Sequence, residues 1–214
     1  MTGALKIVKL DFLTVKSQAS LYLSLVAIIL LFGFMRSSVI VLCITGAWYT
    51  ALMVSNIFII QEKNHLDRLY GSVAIRLKDI IFGRYVFVLL NYVMSFAIII
   101  AIYAIISSFQ HKTLELSDMI LGLSLSLLAF SLIVGIQMPL FFKMGYTKAK
   151  VWSLVPFIAV MALVLIPSFV SALSDAIHSI LSNRSILIAG CILASVIVQF
   201  LSYRTSVSAY RKRK

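Results

Sequence analysis

The chain has 214 residues, of which 62% are hydrophobic and 12% charged, with a formal net charge of +12. Soluble globular domains carry about 25% charged residues, so this balance excludes one and points to a polytopic membrane protein. The basic excess is scattered over short segments between hydrophobic runs, which favours anionic lipid headgroups over nucleic acid as its partner.

In chain order, the first segment is Leu5–Val15. At 100° per residue Leu5, Val8, Phe12 and Val15 share one face, Lys6, Lys9 and Lys16 cluster beside it, and Asp11 falls nearly opposite the lysines. This is the pattern of an amphipathic helix lying in the membrane plane, within residues 1–17. A hydrocarbon core of roughly 30 Å needs about 20 apolar residues per helix. Six runs qualify: Leu21–Met35, Val39–Ile60, Tyr85–Phe109, Met119–Phe142, Val151–Leu173 and Ile186–Tyr203. The first is the weakest and reaches full length only with Ser17, Gln18, Ser20 and Ser24 counted in. The expected architecture is all-α, one transmembrane domain over residues 1–214.

Six spans put both termini on one side. That side receives Lys6, Lys9, Lys16, Lys63, Arg68, Arg76, Lys78, Arg84, Lys143, Lys148, Lys150, Arg204 and the terminal Arg211-Lys212-Arg213-Lys214, whereas the other receives Arg36, Lys112 and Arg184. By the positive-inside rule both termini are cytoplasmic.

Between the second and third runs lies Glu62–Arg84, a charged interruption carrying Glu62, Lys63, Asp67, Arg68, Arg76, Lys78, Asp79 and Arg84. A connector need not be this long or carry apolar residues at helical spacing. Leu66, Leu69, Tyr70 and Val73 recur three and four apart, with Asp67 and Arg68 on the other face and Gly71 as a stop or bend. A second piece, with Leu77, Ile80 and Ile81 against Lys78 and Asp79, leads through Gly83, Arg84 and Tyr85 into the third run. A cytoplasmic helix with an apolar ridge and charges of both signs fits a partner's groove. Further on, Ser117 or Asp118 is positioned to cap the fourth span, and Pro139 to kink it. Gly145 should end that span, with Lys143, Lys148 and Lys150 flanking the turn. Ser174–Ser185 reads as a short surface helix on the far side.

Catalytic constellations are missing. His65, His111 and His178 are far apart, no metal site is implied, and no Gly-x-x-x-x-Gly-Lys-Ser/Thr loop occurs in the sequence. Cys43 and Cys191 sit inside apolar runs, as packed free thiols rather than a disulfide. No paired carboxylates lie within the spans, which disfavours an ion-coupled carrier. The interior polar groups are uncharged: Asn56, Asn91, Gln137, Gln199 and serines. Their ordinary role is interhelical hydrogen bonding; Asn91 and Gln137 are the candidates for a substrate path.

The chain resembles the small six-span permease subunits of type-2 ABC exporters, the bacterial branch without a fused ATPase. The resemblance spans nearly the full length. It is carried by Gln61-Glu62-Lys63-Asn64 through Leu69-Tyr70-Gly71-Ser72, by Lys78-Asp79-Ile80-Ile81-Phe82-Gly83-Arg84-Tyr85, by Pro139 to Lys150, and by Leu201 to Tyr210. Val73-Ala74 stands where that branch commonly has Leu-Pro, and Leu77 where it has arginine before the lysine. The resemblance implies a non-catalytic subunit in a bacterial plasma membrane, paired with a second permease copy or a sister permease. It implies separate ABC-type ATPase subunits, which hold ATP and Mg, and no cofactor in this chain. Residues 62–84 would be the coupling helix, with Asp67, Arg68, Leu69, Tyr70 and Val73 on the ATPase, and Arg84 and Tyr85 passing the motion to the third span. Lys6, Lys9, Phe12 and Lys16 would belong to the connecting helix framing the groove. The implied cargo is an amphipathic antimicrobial or cytolytic peptide, such as a lantibiotic or a phenol-soluble modulin, or else a drug or lipid. The alternative is a membrane scaffold or sensor whose same segment docks a non-ATPase regulator.

Overall fold

The computed structural model describes residues 3–16, 19–35, 37–64, 76–110, 115–169 and 184–213. Every regular element among them is helical. They are α1 (Gly3–Lys16), α2 (Ala19–Phe34), α3 (Val39–Lys63), α4 (Leu77–Gln110), α5 (Leu116–Met144), α6 (Tyr146–Ala149), a 3₁₀ turn at Trp152–Leu154, α7 (Val155–Phe169) and α8 (Arg184–Arg213).

Four helices are long and apolar enough to cross a membrane: Val39–Lys63, Leu77–Gln110, Leu116–Met144 and Arg184–Lys212. The first and fifth expected spans correspond to the shorter apolar stretches Ser20–Phe34 and Trp152–Ala162. The bundle is organised around α5, which packs against α8 and α3, while α4 takes α1 and α3 and α2 wedges between α3 and α4. The core joins Ala51, Val54, Phe58, Phe87, Tyr92, Phe130, Ile133, Val134, Met138 and Phe141. A second cluster of Leu25, Ile29, Leu42, Cys43 and Ile99 ties α2 to α3 and α4. Close approach needs small residues: a Cβ on Gly135 would meet Val198 of α8 at 2.7 Å. Elsewhere hydroxyl pairs stitch the helices, among them Tyr92 to Ser126 at 2.7 Å between α4 and α5. Such interhelical bonds contribute about 0.6 kcal/mol each.

Several expectations change. The third span does not begin at Tyr85 after a separate amphipathic piece; α4 is continuous from Leu77. Nothing there breaks the helix, since Leu77 to Tyr85 holds no proline and Ile80, Ile81 and Arg84 are buried. The sixth run is likewise the front of a longer helix that continues to Arg213, because Ser202, Ser206 and Tyr210, four apart, are all buried against the bundle. Ser117 and Asp118 do not cap α5: its N-cap is Glu115, without a side-chain cap bond. Instead both accept from Arg184 at the start of α8, at 3.4 and 3.1 Å. Pro139 sits inside α5 and Pro156 in the first turn of α7. Gly145 does end α5, at φ 76° and ψ 172°, a conformation that glycine alone adopts cheaply. Cys43 and Cys191 are free thiols. Most of Ser174–Ser185 lies outside the described residues.

Candidate functional site

One end of the bundle gathers α1, the last turn of α3, the first turns of α4, the last turns of α5 and the tail of α8. At its centre is Arg84, 1% exposed. A charge cannot be left unpaired at that depth, and the guanidinium is engaged from several directions. Its Nη1 donates to Gln61 Oε1 at the end of α3. Its Nε faces Asp11 Oδ2 of α1 at 3.7 Å, an ion pair longer than a hydrogen bond. Its carbon centre lies 4.8 Å from the Phe58 ring and 5.8 Å from the Phe142 ring, so α3 and α5 each present a π face. Phe58 stacks on Phe141 at 4.8 Å, and Phe142 meets Tyr210 of α8 edge-on at 5.5 Å. One arginine thus touches three other helices and, through Phe142, reaches a fourth.

Asp11 completes this arrangement and revises the reading of α1. The acid is not on a solvated face; it is buried beside Ile7 while Leu5, Phe12 and Leu13 are more than half exposed and Lys9 is exposed. Alpha1 therefore docks on α4 through Ile7 and Asp11 and turns its apolar Leu5–Phe12 face outward. Burial pushes the Asp11 carboxyl above its ordinary value, and the Arg84 charge pulls it back. The side chains of Lys6 and Lys16 lie outside the described residues.

Beside Arg84, Tyr85 faces α8. Its hydroxyl is 2.5 Å from Ser202 Oγ and 2.8 Å from Ser206 Oγ, and its ring is 5.8 Å from that of Tyr203. Successive residues of one helix point about 100° apart, so Arg84 joins α4 to α1, α3 and α5 while Tyr85 joins it to α8.

Glu62, next after Gln61, reaches the turn between α5 and α7. Its carboxylate accepts from the Thr147 backbone N–H at 3.0 Å and from Thr147 Oγ1 at 2.7 Å. Thr147 is in the first turn of α6, whose free N–H groups attract an anion. The Gly145 backbone aims that turn at Glu62. The stretches around Gln61-Glu62 and Lys143 to Lys150, two separate pieces in the sequence, are one contact in space.

The predicted ATPase-contacting residues Asp67, Arg68, Leu69, Tyr70 and Val73 lie outside the described residues, within the 65–75 gap. Both its flanks are described and both are fastened: Gln61 and Glu62 on one side, Arg84 and Tyr85 on the other. Asn91 and Gln137, proposed for a path, are not brought together. Asn91 accepts from Tyr22 of α2 at 2.5 Å, while buried Gln137 donates to the Ser153 carbonyl at 3.2 Å, holding the turn before α7 against α5. Among the described residues no cluster of His, Cys, Asp or Glu is arranged to hold a metal.

A family model for the ABC-2 family transporter protein matches residues 6–211. The chain belongs to this family. It is therefore a multi-pass transmembrane transporter subunit of the ABC-2 type, and membership implies an ABC ATPase as partner. No curated protein and no solved structure matches the chain.

Sequence reasoning missed Asp11, Phe58, Gln61, Glu62, Phe142 and Thr147 as parts of this junction. A signal existed for the ion pair. Arg84 opens a long apolar run, only seven acids exist in the chain, and Asp11 is the lone acid in a basic segment.

Proposed function

We propose that the chain is the permease subunit of an ATP-driven exporter and that residues 64–76 form the lever on which a separate ATPase acts. The observation that carries this reading is the double fastening of that segment. Gln61 and Arg84, one on each flank, bond to each other, and Glu62 and Tyr85 extend the same junction to α6 and α8. A force applied between them enters α3, α4, α5 and α1 together rather than bending one loop. The absence of a P-loop from the sequence agrees with an engine on another chain.

In this assignment α2 and the Trp152–Phe169 segment complete six spans, and both termini and the junction face the cytoplasm of a bacterial cell. Two permease copies, or this chain and a sister permease, meet two ATPase subunits that hold ATP and Mg. Asp67, Arg68, Leu69, Tyr70 and Val73 supply the contact. The outward apolar face of α1 lies in the membrane plane with Lys9 at the headgroups. The cargo is amphipathic or lipidic, a peptide above all, in keeping with six apolar runs whose sequence holds no Asp, Glu, Lys, Arg or His.

Leu69→Asp tests the lever. The variant should insert at normal levels yet lose the ATPase on purification of the native complex. Undiminished ATPase co-purification would overturn the assignment, and a wild-type partner that binds no nucleotide would favour a scaffold or sensor.

A further inference from the structure

Alpha4 and α8 form a seam whose two ends differ in chemistry. On α4 the lining residues are Lys78, Phe82, Tyr85, Val86 and Leu89; on α8 they are Gln199, Phe200, Tyr203, Arg204, Val207, Ser208 and Arg211. These spacings of three and four place each set on one helix face. Toward the middle of the helices the seam is an apolar groove of about 400 Å³, floored by Phe82, Val86, Leu89 and Phe200. Past Tyr203 it opens into a cleft of about 430 Å³ with Lys78, Arg204 and Arg211, and a further lobe adds Arg76. Phe82 and Phe200 are each more than half exposed, so the groove opens on the flank of the bundle. Arg204 is held over the Phe200 ring at 5.2 Å, at the boundary between the two parts.

We propose that this seam binds one anionic phospholipid, with its phosphate among Arg204, Arg211, Lys78 and Arg76 and an acyl chain along Phe82, Leu89 and Phe200. Charge selects this occupant. Among the described residues no acid lines either part; the nearest acid in sequence, Asp79, is not among the lining side chains. A second copy meeting this seam about a two-fold axis would set cations against cations. From Gln199 to Arg211 the seam runs about 18 Å at 1.5 Å per residue, room for a headgroup and much of one chain. Cationic clefts between transmembrane helices are suited to anionic headgroups.

Native mass spectrometry of the full-length protein with equal phosphatidylglycerol and phosphatidylcholine of the same acyl chains provides the test. The wild type should retain phosphatidylglycerol selectively. An Arg204→Gln/Arg211→Gln double variant should lose roughly thirtyfold in that affinity, while Lys143→Gln/Lys148→Gln, the same change in charge elsewhere, should keep it. Equal retention of both lipids by the wild type, or equal loss in both double variants, overturns the proposal. So does full competition by free glycerol phosphate, which would make the site one for a soluble anion. A benzophenone on Val207→Cys, in nanodiscs containing phosphatidylglycerol, should crosslink to lipid; crosslinks to a second copy or to another protein would hand the seam to that partner.

Discussion

The two ends of the helix bundle are fastened by different chemistry. At the junction end, buried Arg84 engages α1, α3 and α5, and Tyr85 engages α8. At the opposite end the polar contacts among the described residues are Arg184 to Asp118 at 3.1 Å, an exposed ion pair, Arg184 to Ser117 at 3.4 Å, and a long bond from Gln110 to the Gly33 carbonyl at 3.5 Å. Exposed pairs contribute about 0–1 kcal/mol because water competes for both partners. A buried ion pair is different: its net worth is small, but removing one member strands the other without solvent. The contrast in polar fastening makes the junction end a rigid joint, whereas the described helices of the other end are held by apolar packing around Leu42, Cys43 and Ile99 and by surface bonds.

The largest test of the asymmetry is Arg84→Ala. It should destabilise the fold by about 3–5 kcal/mol, since Asp11 is left buried without the Arg84 charge and Gln61 loses the Arg84 bond; thermal unfolding in mild detergent reads the loss. An Asp11→Leu/Arg84→Met double variant should recover much of it, a coupling that a double-mutant cycle measures. Next comes Tyr85→Phe, which removes the link to Ser202 and Ser206. It should cost about 1 kcal/mol and accelerate proteolysis of the α8 tail beyond Tyr203. Thr147→Val, which takes the Oγ1 donor from Glu62, should cost about 0.5–1 kcal/mol at an exposed site. At the far end Arg184→Gln should change stability by less than about 0.5 kcal/mol, and raised salt should reproduce that change in the wild type. Topology is checked separately: a thiol reagent should label Arg76→Cys from the cytoplasmic side alone, and labelling from outside would reverse the proposed orientation.

Helices were legible because apolar length and composition are properties of a single segment. Alpha3, α4, α5 and α8 contain the runs that the sequence marks, and Gly145 stops α5 as its residue type requires. What the sequence hid was pairing between segments far apart in the chain. Asp11 and Arg84 are separated by most of three helices, so hydrophobic period could place Asp11 on the polar side of α1 and still be consistent. Only the fold reveals that this side is the docked one. The same holds for Glu62 and Thr147, each unremarkable until the Gly145 turn brings them together. Helix ends were the other blind spot. Leu77 to Arg84 reads as a separate amphipathic piece before the third span, yet it forms the first turns of one continuous helix whose buried face is Ile80, Ile81 and Arg84.

The most direct test of the rigid joint is backbone hydrogen–deuterium exchange on the full-length protein in nanodiscs. Residues 57–63, 80–88 and 138–147 should exchange far more slowly than 105–110, 116–122 and 184–190, and Arg84→Gln should erase much of that difference. Equal exchange at the two ends of the wild-type bundle, or a difference untouched by Arg84→Gln, would contradict the account.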